Sequence, residues 1–280
     1  MRKIDSETLA FANRLADAAG AVIRPLFRRR MAVTDKGAEK GKAFDPVTEA
    51  DRGAEEALRQ IIARERPGDA ILGEEFGETP GTSGRRWVLD PVDGTRAFIT
   101  GHHMWGTLVA LEIEGARVLG IIDQPVLRER FIGYPGTAQV TSPEGTAPLK
   151  TRACARLADA IVTTTHPWGY FNGGERAAFE RIAQAARMSR FGGDCYGYAL
   201  LAAGYTDLVI ESQLKPWDVA ALVPVIENAG GIVTDWTGAK LFRYRRRRRP
   251  RACRSAGVSE RELTPVLRAF GGLRRLPVPC

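Results

Sequence analysis

The chain has 280 residues, 44% of them hydrophobic and 26% charged, enough apolar material for a substantial core built as one large domain or two joined halves. No run of 18 apolar residues occurs, which argues against a transmembrane helix, and the alternation of apolar and charged residues from Leu9 to Phe27 is unlike a signal peptide, so a cytoplasmic protein is expected. The net charge of +8 is concentrated: from Arg243 onward there are 12 Arg, no Lys and two Glu, a balance of +10 that leaves the remainder at −2.

Four scattered cysteines (Cys154, Cys195, Cys253 and Cys280) form no C-x-x-C, and three histidines leave little for a histidine metal site or a Ser-His-Asp triad. In chain order, the spacing of Leu9, Ala12, Ala16, Ala19, Ile23 and Phe27 predicts an amphipathic helix over 6–28. A polar loop, "TDKGAEKGKAFDP", follows. A second helix starts at "TEAD", with Thr48 as cap and Asp51 at its third position. Its core face is Ala54, Leu58, Ile61 and Ile62, and Pro67 and Gly68 end it.

"AILGEE" reads as a strand that exits at Glu74 and Glu75, and "RRWVLD" as one that exits at Asp90 into a turn. "TLVALEIEGARVLGIID" is a hairpin around Glu-Gly, and the Pro- and Gly-rich stretch from Tyr134 to Pro148 reads as a linker between subdomains. Then come a strand ("AIVTTTH"), a helix over 174–188, a glycine turn, and a helix, strand and helix through "YALLAAGYTDLVIE" and "WDVAALVPVIENAGG". Pro224 bends or starts the last helix, Gly230 and Gly231 stop it, and "GIVTDW" is a strand. The expected organisation is an α+β half over 1–145 with most of the acids, an α/β half over 146–242, and an atypical tail over 243–280.

Five carboxylates fall at the ends of these elements: Asp51, Glu74, Asp90, Asp93 and Asp218. In "DPVDGT", Pro91 stiffens the backbone so that Asp90, Asp93 and the Val92 carbonyl converge. Gly94 lets successive N–H groups face an anion, a helix starting there adds its positive end, and Thr95 supplies a hydroxyl. Singly, each acid has a plainer explanation, such as a capping-box acid for Asp51 or a strand-end charge for Glu74. Together, with Trp87 and Trp217 stiffening two of the positions, they point to hard divalent cations beside a phosphate. Two ions about 3.5–4 Å apart stabilise the attacking and leaving oxygens of such a hydrolysis.

"DPVTEAD", "GEE", "WVLDPVDGTRAFITG" and "KPWDVAALVPVIENAGG" together resemble the linked signature of the inositol monophosphatase superfamily of Mg²⁺-dependent, lithium-sensitive phosphatases, over about residues 5–240. The resemblance implies a layered α/β/α/β/α sandwich, a homodimer, and two to three Mg²⁺ ions, with Mn²⁺ as a substitute. It implies Glu74, Asp90 and the Val92 carbonyl at the first ion, Asp90, Asp93 and Asp218 at the second, and Asp51 with Glu74 at a weaker third. Glu74, Thr95 and Asp51 then serve catalysis, Thr95 orienting the attacking water, with no covalent intermediate, and the Gly94 and Thr95 amides hold the phosphate.

"WGTLVALEIEGARVLGIIDQPVLRERFIG" and "FGGDCYGYALLAAGYTDLVIESQLKPWD" resemble the histidinol-phosphate phosphatase branch more than the inositol branch. Beside Asp93, Gly94, Thr95 and Asp218, that likeness adds Gly193, Asp194 and Glu211 to the substrate site. Carboxylates at 194 and 211 meet an ammonium group better than an uncharged polyol. The alternatives are an inositol- or sugar-phosphate phosphatase, with Asp194 as a helix cap, and a nucleic-acid-binding protein using "RYRRRRRPR", which lacks aromatic interleaving. A small phosphorylated substrate, and neither membrane nor nucleic acid, is the expected partner. After "DWTGAKLF" the resemblance stops, where the family continues with a strand and a helix. The tail is read either as out-of-frame translation of a G+C-rich gene, with a core strand absent or replaced, or as a disordered terminus.

Overall fold

Two helices open the chain, and both start where the sequence supplies a cap. Asp5 accepts the Thr8 amide at 2.6 Å and begins α1 (Ser6–Ile23). Thr48 and Asp51 form a capping box at α2 (Glu49–Glu65). In this computed structural model residues 4–30, 32–38, 45–239 and 268–270 are described, the last three for the backbone alone.

Short β1 (Thr34–Asp35) and β2 (Pro46–Val47) pair with each other between the helices. Then follow β3 (Ala70–Gly73), β4 (Gly77–Thr79), β5 (Arg85–Asp93), the one-turn α3 (Thr95–Ile99), β6 (Gly106–Ile113), β7 (Ala116–Gln124) and β8 (Glu129–Tyr134). The expected hairpin is β6–β7, and its turn residues Glu114 and Gly115 both have positive φ (51° and 72°), the signature of a two-residue primed turn.

The expected linker is instead two further strands, β9 (Thr137–Ser142) and β10 (Gly145–Pro148), at the edge of the same sheet. Gly and Pro there shape an exposed edge rather than a boundary, since an edge strand tolerates Pro. The sheet order is β10-β9-β8-β7-β6-β5-β3-β4, parallel only between β3 and β5.

The second half holds a 3-10 turn (Leu157–Asp159), β11 (Ile161–Thr164), α4 (Pro167–Tyr170), α5 (Gly173–Ala185), β12 (Met188–Phe191), α6 (Asp194–Ala202), β13 (Leu208–Ile210), α7 (Pro216–Ala220), α8 (Leu222–Asn228) and β14 (Ile232–Thr234). The helix expected to reach Met188 stops at Ala185, because 188–191 pair in parallel with β11. Pro224 starts α8 rather than kinking one long helix. β15 (Arg268–Phe270) lies between β13 and β14, antiparallel to both, completing the order β12-β11-β13-β15-β14. The missing core strand is thus replaced by a segment of "ERELTPVLRAF"; the arginine run lies outside the described residues.

Alternation along β5 sends side chains into two cores. Trp87 and Leu89 pack with Phe11, Leu15, Leu58 and Ile62 of α1 and α2 on one face. Val88 packs on the other with residues of α6, α7 and α8, which also cover Val209 and Val233 of the second sheet. Phe179 of α5 joins Val162, Leu208 and Ile210 on that sheet's outer face. The result is the expected α/β/α/β/α layering. Each fully buried Leu, Ile or Phe contributes about 1.5–3 kcal/mol. No helix among the described residues is long and apolar enough to cross a membrane.

Candidate active site

The acidic centre is made by an irregularity in β5. In a regular strand residues three apart point to opposite faces. Here Asp90 pairs with Leu108 but Asp93 with Gly106, so three steps on β5 match two on β6. This bulge puts both carboxylates on one side, and Pro91, which has no N–H to lose, sits within it while its carbonyl accepts the Thr107 hydroxyl at 2.8 Å. The expected turn after Asp90 is therefore a bulged strand that runs on to Asp93. Gly94 then takes φ 89°, a left-handed value that glycine adopts readily, and α3 begins at Thr95.

Asp218 arrives from α7. Pro216 occupies the first turn, where its missing N–H is harmless, and the Lys215 amide donates to Asp218 Oδ2 at 2.6 Å. Asp90, Asp93 and Asp218 each bring a carboxylate oxygen within 4.8 Å of the others. The Cys195 amide donates to Asp93 Oδ1 at 2.9 Å, while Asp90 Oδ1 is buried without a hydrogen-bond partner. A buried acceptor left orphaned among carboxylates suits a cation, because leaving it unpaired costs about 1–3 kcal/mol. All-oxygen donors of this kind fit a hard divalent ion. An ammonium already bridges the neighbouring acids: Lys36 Nζ lies 3.0 Å from Glu74 Oε1 and 2.7 Å from Glu75 Oε1.

These groups line a cavity of about 830 Å³ together with Val92, Gly94, Thr95, Arg96, Thr165, Tyr170, Asp194, Tyr198 and Glu211. Thr95 Oγ1 stands 3.1 Å from the Val92 carbonyl and 3.2 Å from Asp51 Oδ1, bridging them. Glu211 Oε1 accepts the Thr165 amide (2.6 Å) and hydroxyl (2.8 Å), and Thr165 Oγ1 accepts the Asp194 amide at 3.0 Å. The Arg96 guanidinium sits 5.1 Å over the Tyr170 ring.

Burial raises the carboxyls of Asp90, Asp194 and Asp218 well above the ordinary range, with neighbouring acids adding to it. Burial likewise lifts Asp93 to about 6 against the pull of the Cys195 amide, and Glu211 to about 8 against Thr165. Burial works against the Lys36 ammonium, yet Glu74 and Glu75 hold its pKa above the usual value. Carboxyl groups dominate the charged lining of the cavity, with Lys36, Arg96 and Lys215 among them.

Of the site residues expected from sequence, Glu74, Asp90, Val92, Asp93, Gly94, Thr95, Asp194, Glu211 and Asp218 all line the cavity. Asp51 and Gly193 do not. Asp51 lies behind Thr95, with Oδ2 engaged by the Thr48 amide (2.8 Å) and hydroxyl (2.6 Å). Gly193 occupies the buried N-cap position of α6 without a side-chain cap, and Asp194 is the first residue of the helix rather than its cap. Lys36, Arg96, Thr165, Tyr170 and Tyr198 also line the cavity, with no local signal in the sequence. A lysine in a lysine-rich loop or a tyrosine in a helix carries no local mark of the cavity it will face.

The sequence profile of the inositol monophosphatase family matches residues 5–269. The bifunctional phosphatase IMPL2, chloroplastic, of Arabidopsis thaliana is 47% identical over 235 residues, 83% of this chain but 65% of that protein, so the chain spans less than two thirds of this relative. The histidinol-phosphatase of Chlorobaculum parvum is 37% identical over 231 residues, 82% of this chain and 86% of that one. Among solved structures, an inositol monophosphatase from Zymomonas mobilis superposes with a TM-score of 0.77 at 39% identity, covering 96% of this chain and 94% of that one. Bulged carboxylates, fold and profile agree: the chain belongs to the inositol monophosphatase family, whose members are phosphoric monoester hydrolases.

Proposed function

We propose that this phosphatase is Mg²⁺-dependent and hydrolyses L-histidinol phosphate to L-histidinol and phosphate, a step of histidine biosynthesis. The observation that carries the substrate is that Asp194 and Glu211, linked through Thr165, line the same cavity as the Asp90–Asp93–Asp218 cluster. An ammonium group beside these two acids would draw off the protons that burial keeps on them and pair with the carboxylates, which favours an amino alcohol. The likeness to a histidinol-phosphatase over most of both chains supports the same reading.

In this reading Glu74, Asp90 and the Val92 carbonyl hold one ion, and Asp90, Asp93 and Asp218 hold a second. Magnesium bound there supplies Lewis-acid activation of water and neutralises phosphoryl charge. Thr95, fixed between Asp51 and the Val92 carbonyl, orients the attacking water with its hydroxyl. Asp51, both of whose oxygens are engaged, acts through Thr95 rather than as a ligand of a third ion. The Gly94 and Thr95 amides, at the start of α3, receive the phosphate oxygens. Asp194 and Glu211 orient the leaving group.

A second reading, an inositol- or other sugar-phosphate phosphatase, is favoured by Glu211. With its carboxyl lifted to about 8 it carries a proton at neutral pH and can hydrogen-bond a sugar hydroxyl without an ammonium partner. Phosphate release from histidinol phosphate and from inositol 1-phosphate, each with Mg²⁺ and with EDTA, separates the two. Equal or reversed preference overturns the histidinol assignment, and release that persists in EDTA overturns the cation. The homodimer expected from the resemblance belongs to the same proposal, and the exposed Trp168, packed at a tilt against exposed Phe191, supports a contact face. Sedimentation equilibrium tests it, and a monomer at micromolar concentration refutes it.

A further inference from the structure

We infer that Glu55 is a positioning residue for Glu74: a buried carboxylate that touches no cation sets the cavity's cation affinity through the backbone of the β3–β4 loop. The inference rests on the cation reading proposed above.

Glu55 lies on α2, one turn after Asp51, and is fully buried. Its Oε2 accepts the Glu75 amide at 2.8 Å, and its Oε1 accepts the Phe76 amide at 3.2 Å and Arg59 Nε at 2.8 Å. The two amides belong to the residues directly after Glu74. On the other side, the Glu74 amide donates to the Leu89 carbonyl of β5 at 3.2 Å. Glu74 is therefore clamped between two anchors, one on the strand that carries Asp90 and one on the helix that carries Asp51.

The residue before Glu74 completes the clamp. A β-carbon at Gly73 would stand 1.9 Å from Glu55 Oε1, so the carboxylate reaches these amides only because residue 73 has no side chain. Arg59 supplies the counter-charge and also donates to Thr79 Oγ1 (2.9 Å) and the Gly77 carbonyl, holding the far side of the same loop. A buried ion pair is a poor source of stability, since apolar residues of similar volume serve as well. What an apolar pair cannot do is accept two backbone N–H groups and so fix where the next side chain points. Groups that orient a ligand from behind typically govern about 10- to 100-fold in cation affinity.

The test uses the full chain, freed of cations by chelation, in Mn²⁺ titrations by calorimetry well below the melting temperature. Wild type, Glu55→Gln, Glu55→Asp, Asp90→Asn and the exposed control Glu56→Gln are compared, with circular dichroism to verify folding. Glu55→Gln turns one acceptor into a donor that opposes an amide. Glu55→Asp keeps the charge and the Arg59 pair but is one methylene too short to reach the loop, so it also answers if the glutamine variant fails to fold. Both are expected to weaken Mn²⁺ about 10- to 100-fold, with Glu56→Gln unchanged. Wild-type affinity in a folded Glu55→Asp or Glu55→Gln protein overturns the inference alone. Unchanged affinity in Asp90→Asn, or none in wild type, overturns the cation reading and this inference with it.

Discussion

Replacing Gly120 by alanine tests how the fold delivers Asp218 to the acidic cluster. Gly120 lies on β7, beneath the junction of α7 and α8. A β-carbon there would stand 2.0 Å from the Ala221 carbonyl oxygen and 2.8 Å from its carbon, where ordinary contact begins at 3.4 Å. Both obstacles are backbone, so no rotamer change relieves them, and the junction must withdraw by about 1.4 Å. Overpacking of this kind costs about 1–3 kcal/mol. Ala221 is three residues beyond Asp218, so the carboxylate moves with it, out of a cluster whose oxygens lie within 4.8 Å of one another. Misplacement by about 1 Å costs roughly 100-fold in rate. Urea unfolding of the cation-free protein reads the first quantity, and Mg²⁺-dependent phosphate release the second. An unchanged unfolding midpoint with wild-type activity refutes the reasoning; lost stability with full activity refutes the coupling of α7 to the sheet.

Thr95→Ala removes the hydroxyl between Asp51 and the Val92 carbonyl, and is expected to lower kcat about 10²–10⁴-fold with KM nearly unchanged, by steady-state kinetics. An ammonium entering beside Glu211 would draw off the proton that burial keeps on it, so Glu211→Gln, assayed by steady-state kinetics above pH 8 where the acid is ionised, is expected to raise KM for histidinol phosphate about 10- to 100-fold, from the loss of a charge-assisted hydrogen bond worth about 1.5–3 kcal/mol, and to affect inositol 1-phosphate less. Asp93, lifted to about 6, must shed its proton to bind a cation, so Mn²⁺ affinity should fall as pH drops through 6, with proton uptake or release read by calorimetry in buffers of different ionisation enthalpy. For the cation-free protein the sign reverses. Asp93 and Glu211 hold protons in the folded state that the unfolded chain releases near pH 4, so stability should decline as pH rises from about 4 to 8, and saturating Mg²⁺ should abolish the part of the decline below about pH 6, which belongs to Asp93, while leaving the Glu211 part in urea midpoints.

What the sequence by itself determined is local. The caps of α2, with Thr48 and Asp51 three residues apart, and of α7, with Pro216 in its first turn, are satisfied within one turn of helix. The β6–β7 hairpin is likewise settled by its two turn residues. The candidate carboxylates were legible for a similar reason: strand exits and helix starts are readable places, and Glu74, Asp93 and Asp218 occupy them, while Asp90, inside the strand, is marked by the Pro-Val-Asp-Gly that follows it. Only the tertiary structure decided the rest. Whether "DPVDGT" turns or bulges depends on the register of β6, and whether the Tyr134–Pro148 stretch links or pairs depends on β8 offering it an edge. Lys36 meets Glu74 from 38 residues away, Asp93 meets Cys195 from 102, and Glu55 reaches past Gly73 to the loop behind Glu74. Such contacts arise from packing layers against one another, and no property of a single segment encodes which distant partner will face it.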